Sequence, residues 1–145
     1  MSLIFWFLVL VVIGAVCAGF DRMPTELTDV KSGYEYERYC AHKLEEAGWC
    51  CTVTQASGDQ GVDIIATRHG VKAAIQCKFY KGSVGNKAVQ EVISGMIYAK
   101  ADVAIVIINS YYTESAMELA NAASVLLVTH DDIPQLHEQI GRAHV

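Results

Sequence analysis

The pattern of hydrophobic and polar residues changes character along this chain. Residues 2–20 are apolar without interruption and contain no Asp, Glu, Lys or Arg. Residues 32–47 then carry apolar side chains at helical spacing, and Ser32 followed by Glu35 is typical of a capping box at a helix N-terminus. The pattern therefore predicts a long apolar segment, followed by a helix that buries one face and ends near Gly48.

The rest of the chain alternates between strand and helix patterns. Strands are predicted at 49–54, 62–68, 71–79, 103–108 and 125–128, and further helices at 87–100, 113–123 and 131–141. His69-Gly70 is typical of a two-residue hairpin turn between the second and third strands. An antiparallel hairpin followed by alternating helices and buried strands predicts an α/β fold, with a mixed sheet covered by helices on both faces.

The apolar segment 2–20 is long enough to cross a membrane. As a helix it would span roughly 28 Å, close to the hydrocarbon thickness of a bilayer. A cleavable signal peptide and a buried core helix are alternative interpretations. No basic residue precedes the segment, and it is apolar on all sides. We therefore predict a transmembrane helix at 1–20, a linker at 21–31 and a folded domain at 32–145.

Charge and cysteine content favour a reducing compartment for that domain. Arg22 and Lys31 follow the apolar segment and no basic residue precedes it, which predicts a single-pass protein of the cytoplasmic membrane with the domain facing the cytoplasm. The five cysteines are an odd number without the spacing of zinc ligands. Eleven Lys and Arg against sixteen Asp and Glu give a net charge of −5. This charge excludes a histone-like protein that binds nucleic acid through bulk positive charge.

Three polar side chains are predicted to converge at the open end of the hairpin. A two-residue loop pairs Arg68 with Val71, and this register places Asp63 opposite Gln76 with Cβ atoms about 5 Å apart. Lys78 shares the face of Gln76 because side chains alternate along a strand. An acid, an amide and an amine together can hold a divalent metal, position a water and stabilise a developing oxyanion. A solvated strand face is the alternative interpretation.

The motifs around these residues resemble the Mrr-like branch of the PD-(D/E)xK nucleases. In chain order they are Gly-Tyr-Glu-Tyr-Glu at 33–37, Gly-Asp-Gln-Gly-Val-Asp at 58–63 and Gln-Cys-Lys at 76–78. The resemblance covers about residues 33–132 and implies a restriction-endonuclease-like fold, a mixed sheet flanked by helices. Val62 stands where the superfamily has Pro, and Gln76 stands where it has a second acid. Both departures are like the Mrr-type branch.

The resemblance also implies a role for each residue that matches a motif. Asp63 would be the main metal ligand and Gln76 a neutral ligand or a water positioner. Lys78 would orient the attacking hydroxide and offset charge on the scissile phosphate. Glu37 matches the family's helix acid and would complete the site through one of the metal's water ligands. Glu35 is the weaker candidate because the capping box gives it a structural role.

The function that this resemblance implies is a DNA endonuclease dependent on Mg²⁺, with Mn²⁺ as a substitute. It would hydrolyse phosphodiester bonds, and restriction of foreign or modified DNA is the role that the family suggests. The expected partners are DNA, the membrane through residues 2–20, and a second copy of the chain in a homodimer. A membrane-tethered nucleic-acid-binding module without catalytic activity is the alternative function.

Basic residues are concentrated near the predicted site. Residues 61–90 contain one acid and five basic residues, which are Arg68, Lys72, Lys78, Lys81 and Lys87. Such a basic strip is the expected electrostatic footprint of a site for a polyanion, despite the net negative charge. Lys81, Lys87 and Gln90 are the candidates for contact with DNA. Simple solvation of exposed side chains is the alternative interpretation.

Overall fold

The structure is a computed structural model that describes residues 23–55 and 60–143. The helices within these ranges are α1 (Gly33–Glu46), α2 (Asn86–Ala99), α3 (Glu114–Ala123) and α4 (Leu136–Ala143). The strands are β1 (Cys50–Val53), β2 (Ile64–Arg68), β3 (Val71–Lys78), β4 (Ser83–Val84), β5 (Val103–Ile108), β6 (Tyr111–Tyr112) and β7 (Leu126–Thr129). Two 3₁₀ turns, Leu27–Asp29 and His130–Gln135, precede α1 and α4.

Five strands form one mixed sheet in the order β1-β2-β3-β5-β7. The pairs β1/β2 and β2/β3 are antiparallel, and the pairs β3/β5 and β5/β7 are parallel. All six residues of β5 are buried, and they belong alternately to two hydrophobic clusters. One cluster includes α1 and α4, and the other includes α2 and α3. The predicted mixed α/β sheet covered on both faces is therefore confirmed.

The β2–β3 hairpin has the register that the sequence predicts. Its ladder extends from Arg68↔Val71 to Ile64↔Ile75. The two turn residues, His69 and Gly70, have φ of +48° and +79°. This is the left-handed conformation that a type I′ turn requires at both central positions. The turn thus fixes which residues meet at the open end of the hairpin.

The predicted cap of α1 is confirmed, with one change in a hydrogen bond. The Ser32 side chain accepts a hydrogen bond from the Glu35 amide at 3.2 Å. The Glu35 carboxylate accepts from the amide of Lys31 at 2.7 Å, one residue before the position that a capping box uses. Glu35 therefore has the structural role that the sequence suggested for it.

The C-terminal part of the chain differs from the sequence-based prediction. The single helix predicted at 131–141 is wrong, because a 3₁₀ turn occupies His130–Gln135 and α4 begins at Leu136. Pro134 has no amide hydrogen, and its ring would collide with the carbonyl group four residues earlier in an α-helix. Residues 80–86, between the predicted strand at 71–79 and the predicted helix at 87–100, also contain β4, which pairs with β6 in a small parallel sheet.

The predicted transmembrane helix at 1–20 lies outside the described residues. Across residues 23–55 and 60–143, none of the helices is long and apolar enough to cross a membrane. The described portion of the predicted linker packs on the domain, since Val30 is buried in the core and Leu27 packs against it. Residues before α1 therefore already contribute to the hydrophobic core.

Candidate active site

A cavity of about 520 Å³ lies at the open end of the β2–β3 hairpin. The four residues that the sequence predicts as catalytic, Glu37, Asp63, Gln76 and Lys78, all line it. Glu37 comes from α1, Asp63 directly precedes β2, and the other two belong to β3. The fold therefore brings together side chains that are far apart in the sequence. The hairpin register predicts this for Asp63, Gln76 and Lys78, and the family resemblance implies it for Glu37.

Asp63 is held in a fixed orientation by the strand opposite. Its side chain is buried, with the residue only 5% exposed. Its Oδ2 atom accepts hydrogen bonds from Gln76 Nε2 and from the Cys77 amide, each at 2.8 Å. The Asp63 amide donates in turn to the carbonyl of Ile75 at 2.8 Å. A carboxylate oriented in this way needs little rearrangement before it binds a ligand.

The amide oxygen of Gln76 is the unusual atom of the site. The residue is 5% exposed, and its Oε1 atom is buried with no hydrogen-bond partner among the described residues. Leaving a buried carbonyl oxygen unpaired costs free energy unless a ligand or a water binds it. An amide oxygen beside a carboxylate suits a hard divalent cation, which prefers oxygen ligands. The residues present therefore fit such a cation.

Few protein anions are available to that cation. Within the described ranges there is no group of three or more His, Cys, Asp and Glu side chains arranged to hold a metal ion. Mg²⁺ commonly keeps several waters and takes only one or two carboxylates from the protein. The donor set of this cavity is consistent with that kind of binding.

Lys78 forms an ion pair with a residue of α2. Its Nζ atom is 2.8 Å from Glu91 Oε2, and the two side chains are 20% and 27% exposed. Burial acts to lower the pKa of Lys78, but the hydrogen bond and the charge of Glu91 outweigh this effect and raise it above its ordinary value. Lys78 therefore presents a charged ammonium group at the cavity.

Aromatic packing fixes the wall of the cavity beside Lys78. The ring of Tyr36, which is fully buried in α1, stacks on Phe79 with centroids 5.2 Å apart. The next amide, that of Tyr80, donates to Asn109 Oδ1 at 2.8 Å. These contacts attach the end of β3 to α1 on one side and to the segment after β5 on the other. Glu37, the next residue of α1 after Tyr36, lines the cavity.

Comparison with protein families identifies the domain. A family model described as a restriction endonuclease, Mrr_cat, matches residues 29–137. The chain belongs to this family. Restriction endonucleases are nucleases, which are phosphodiester hydrolases, and the five-stranded mixed sheet is the core of a restriction-endonuclease-like fold. No curated protein matches the chain significantly.

Solved structures similar to this Mrr domain differ widely in length. A protein of unknown function, AF1548, is 21% identical with a TM-score of 0.59, over 68% of this chain and 58% of AF1548. The DNA modification-dependent restriction endonuclease AspBHI is 23% identical (TM-score 0.49), over 70% of this chain and 30% of its own. The Holliday junction resolvase Hjc of Archaeoglobus fulgidus is 18% identical with a TM-score of 0.42, over 58% of this chain and 67% of Hjc. The similarity to AF1548 shows the fold alone.

Glu91 is the residue of this Mrr domain that the sequence analysis did not single out. It lines the same cavity as the four predicted residues and binds one of them. A signal was present, because Glu91 lies within the stripe of α2 whose residues Ala88, Val92 and Gly95 are buried. An acid on the buried face of a helix usually has a specific partner.

The predicted basic strip is not continuous in the structure. Lys81, Lys87 and Gln90 are exposed, and Lys87 lies 3.9 Å from Glu91, which lines the cavity. Arg68 and Lys72 instead lie at the turn end of the hairpin. There the Arg68 side chain donates a hydrogen bond to the carbonyl of Ala47, at the end of α1, at 2.7 Å. The Lys72 side chain donates to the carbonyl of Ala99, at the end of α2, at 2.6 Å. The prediction is wrong for these two, because the length of the hairpin separates its ends.

Proposed function

We propose that this Mrr domain is a metal-dependent DNA endonuclease. The observation that carries the proposal is the meeting, in one cavity, of an oriented carboxylate, a buried amide oxygen without a partner, and an ammonium group. Phosphodiester hydrolysis needs this combination, because positive charge must be placed where negative charge develops on the phosphate. Membership in the restriction endonuclease family supports the same reaction.

Asp63 and the Oε1 atom of Gln76 are the groups that would hold the divalent cation, Mg²⁺ or in its place Mn²⁺. When bound, such a cation supplies positive charge at the scissile phosphate and lowers the pKa of water. Glu37 lines the same cavity and would contribute through water. The buried donors on Asp63 Oδ2 keep its carboxylate in one orientation, which limits the rearrangement that accompanies substrate binding.

Lys78 is the group of this chain that would contact the reacting phosphate. Its ammonium group donates hydrogen bonds to a non-bridging oxygen and to the attacking water, which orients the water and offsets charge in the transition state. The exposed side chains of Lys81, Lys87 and Gln90 would bind the DNA backbone on either side. Restriction of foreign or modified DNA is the biological role that fits the family.

The proposal extends to the location of the enzyme. Residues 2–20 would anchor the domain on the cytoplasmic side of the membrane, as the uncharged segment and the position of Arg22 and Lys31 suggest. A homodimer would allow cleavage of both strands of a duplex. The alternative is a membrane-tethered domain that binds nucleic acid without cleaving it, and a cleavage assay distinguishes the two.

The test uses the purified full chain in mild detergent with supercoiled plasmid DNA. Cleavage is measured with Mg²⁺, Mn²⁺ or EDTA, for the wild type, Lys78→Ala and the matched control Lys43→Ala, which removes a lysine of α1 that pairs with Glu46. We expect nicked and linear products with either metal, none with EDTA, and none from Lys78→Ala. A circular substrate has no ends, so products demonstrate an endonuclease. Equal background cleavage by wild type and Lys78→Ala at every metal concentration would contradict the nuclease and leave the binding module as the alternative.

A further inference from the structure

Glu91 faces the hairpin from α2 and binds Lys78 directly. The 2.8 Å distance between Lys78 Nζ and Glu91 Oε2 is that of a charge-assisted hydrogen bond, and both side chains are largely buried. We propose that Glu91 is a positioning residue for phosphodiester cleavage, which holds the Lys78 ammonium group at the cavity where the phosphate binds. This inference rests on the proposed function, and it assigns a role to a residue outside the three motifs.

The backbone around Glu91 is fixed by close packing. A Cβ atom added at Gly61 would overlap the backbone carbonyl of Glu91, and one added at Gly95 would overlap the side chain of Val62. Helix α2 therefore lies directly against the two residues that precede Asp63. Because of this contact, the carboxylate of Glu91 and that of Asp63 are placed by the same rigid interface.

The neutral amide of Gln76 explains why Lys78 needs a partner from another element. On the face of β3 that carries Lys78, the preceding residue is Gln76, which contributes no negative charge. A lysine side chain with four rotatable bonds loses considerable entropy when it is held in one position. Glu91 supplies both the charge and the hydrogen bond that compensate for this loss. The direct partner of Lys78 is thus supplied by helix α2 and not by its own strand.

The same carboxylate also connects Lys78 with the exposed surface. Its other oxygen, Oε1, is 3.9 Å from Lys87 Nζ, whose side chain is 87% exposed. Glu91 therefore lies between an ammonium group inside the cavity and one on the outer surface of α2. Its Oε2 atom binds Lys78, and the described residues contain no cluster of three acids around a common point. These contacts favour a positioning role over a role as a metal ligand.

The first measurement tests the contact itself and does not require activity. Full-length wild type and Glu91→Gln are treated briefly with an amine-reactive reagent, and the labelling of each lysine is quantified by mass spectrometry. Loss of the charge-assisted hydrogen bond should raise the labelling rate of Lys78 by about 10-fold. Lys81, which is exposed, is the internal reference and should not change.

The second measurement tests whether the contact matters for cleavage. Glu91→Gln is nearly isosteric and should lower kcat by about 10- to 100-fold, the usual effect of losing a group that orients another. KM and the Mg²⁺ concentration for half-maximal rate should stay unchanged. The matched control is Glu46→Gln, which removes an exposed pair with Lys43 on α1, 3.4 Å apart, far in sequence from the site residues of β3 and α2. It should leave both measurements as in the wild type.

Three results would overturn the inference. Unchanged labelling of Lys78 would mean that Glu91 does not hold it. An increased Mg²⁺ requirement together with the loss of kcat would make Glu91 a metal ligand, and unchanged kcat would remove its role in cleavage. If Glu91→Gln loses its cooperative thermal transition, Glu91→Asp replaces it in the same two measurements. If Lys78 of the wild type is labelled slowly but the wild type does not cleave DNA, the proposed function is contradicted and the contact between Glu91 and Lys78 is still established.

Discussion

At the scale of single residues, Asp63 combines a structural contact with a chemical role. Two donors, Gln76 Nε2 and the Cys77 amide, share its Oδ2 atom in a buried environment. Removing the carboxylate would leave both donors without that acceptor. Each unpaired buried donor costs about 1–3 kcal/mol. Substitutions at this position should therefore differ according to whether they keep an acceptor oxygen.

We predict that Asp63→Ala lowers the free energy of unfolding by about 2–4 kcal/mol. Asp63→Asn should lower it much less, because its amide oxygen still accepts hydrogen bonds. Both variants should lose cleavage, since neither retains the negative charge that a cation requires. Urea unfolding and a plasmid assay measure the two effects. Equal stability of the alanine and asparagine variants would contradict the hydrogen-bonding role.

Lys78→Ala should separate catalysis from binding. The ammonium group acts mainly on charge that develops in the transition state, so its loss should reduce the cleavage rate by about two to four orders of magnitude. DNA affinity should change little, and the slope of log affinity against log salt should fall by about one unit. Lys43→Ala is the control, since it makes the same change in net charge and Lys43 pairs with Glu46 on α1. A large loss of affinity in Lys78→Ala would indicate a binding role instead.

At the scale of elements, two helices end in an unfavourable backbone conformation. Lys100 follows α2 with φ of +52°, and Ser124 follows α3 with φ of +56°. Both residues adopt the left-handed backbone conformation, and their amides donate hydrogen bonds to carbonyls of the last helical turn. The left-handed conformation costs an L-residue roughly 1–2 kcal/mol relative to the right-handed one. Glycine does not have this cost.

We expect Lys100→Gly and Ser124→Gly each to stabilise the domain by about 0.5–1 kcal/mol. The melting temperature should rise and cleavage should be unaffected. The matched control is Ala99→Gly, one residue earlier, where the backbone is helical and glycine costs about 1 kcal/mol. Stabilisation by all three substitutions alike would show that the backbone conformation is not the cause.

The elements that the sequence predicted are those fixed by local signals. His69-Gly70 predicts the hairpin, and the register of that hairpin places Asp63 beside Gln76, as the structure confirms. Longer-range contacts were not predictable in the same way. Glu91 meets Lys78 only because α2 packs on the sheet, and the break in the last helix depends on how Pro134 is accommodated. Local chemistry thus predicts elements and register, whereas contacts between elements require the packed fold.

At the scale of the whole molecule, residues 2–20 differ from the folded domain in composition, because they contain no Asp, Glu, Lys or Arg. The full chain should sediment with membranes and resist alkaline carbonate extraction, because 19 uncharged residues match the thickness of a bilayer. A chain that begins at Met23 should remain in the supernatant. Recovery of the full chain in the soluble fraction, or a mature chain from which the apolar segment has been cleaved, would contradict the anchor.

The close contact between α2 and the residues before Asp63 affects how a substitution library would be interpreted. Gly61 and Gly95 have no side chain that could react, yet a Cβ atom at either position would collide with its neighbours. In a selection for nuclease activity, both positions would tolerate amino-acid substitution as poorly as Lys78 does. A parallel selection for abundance of the folded protein separates them, since Lys78 variants accumulate and variants at the two glycines do not. Intolerance to substitution therefore does not by itself locate the chemistry of this domain.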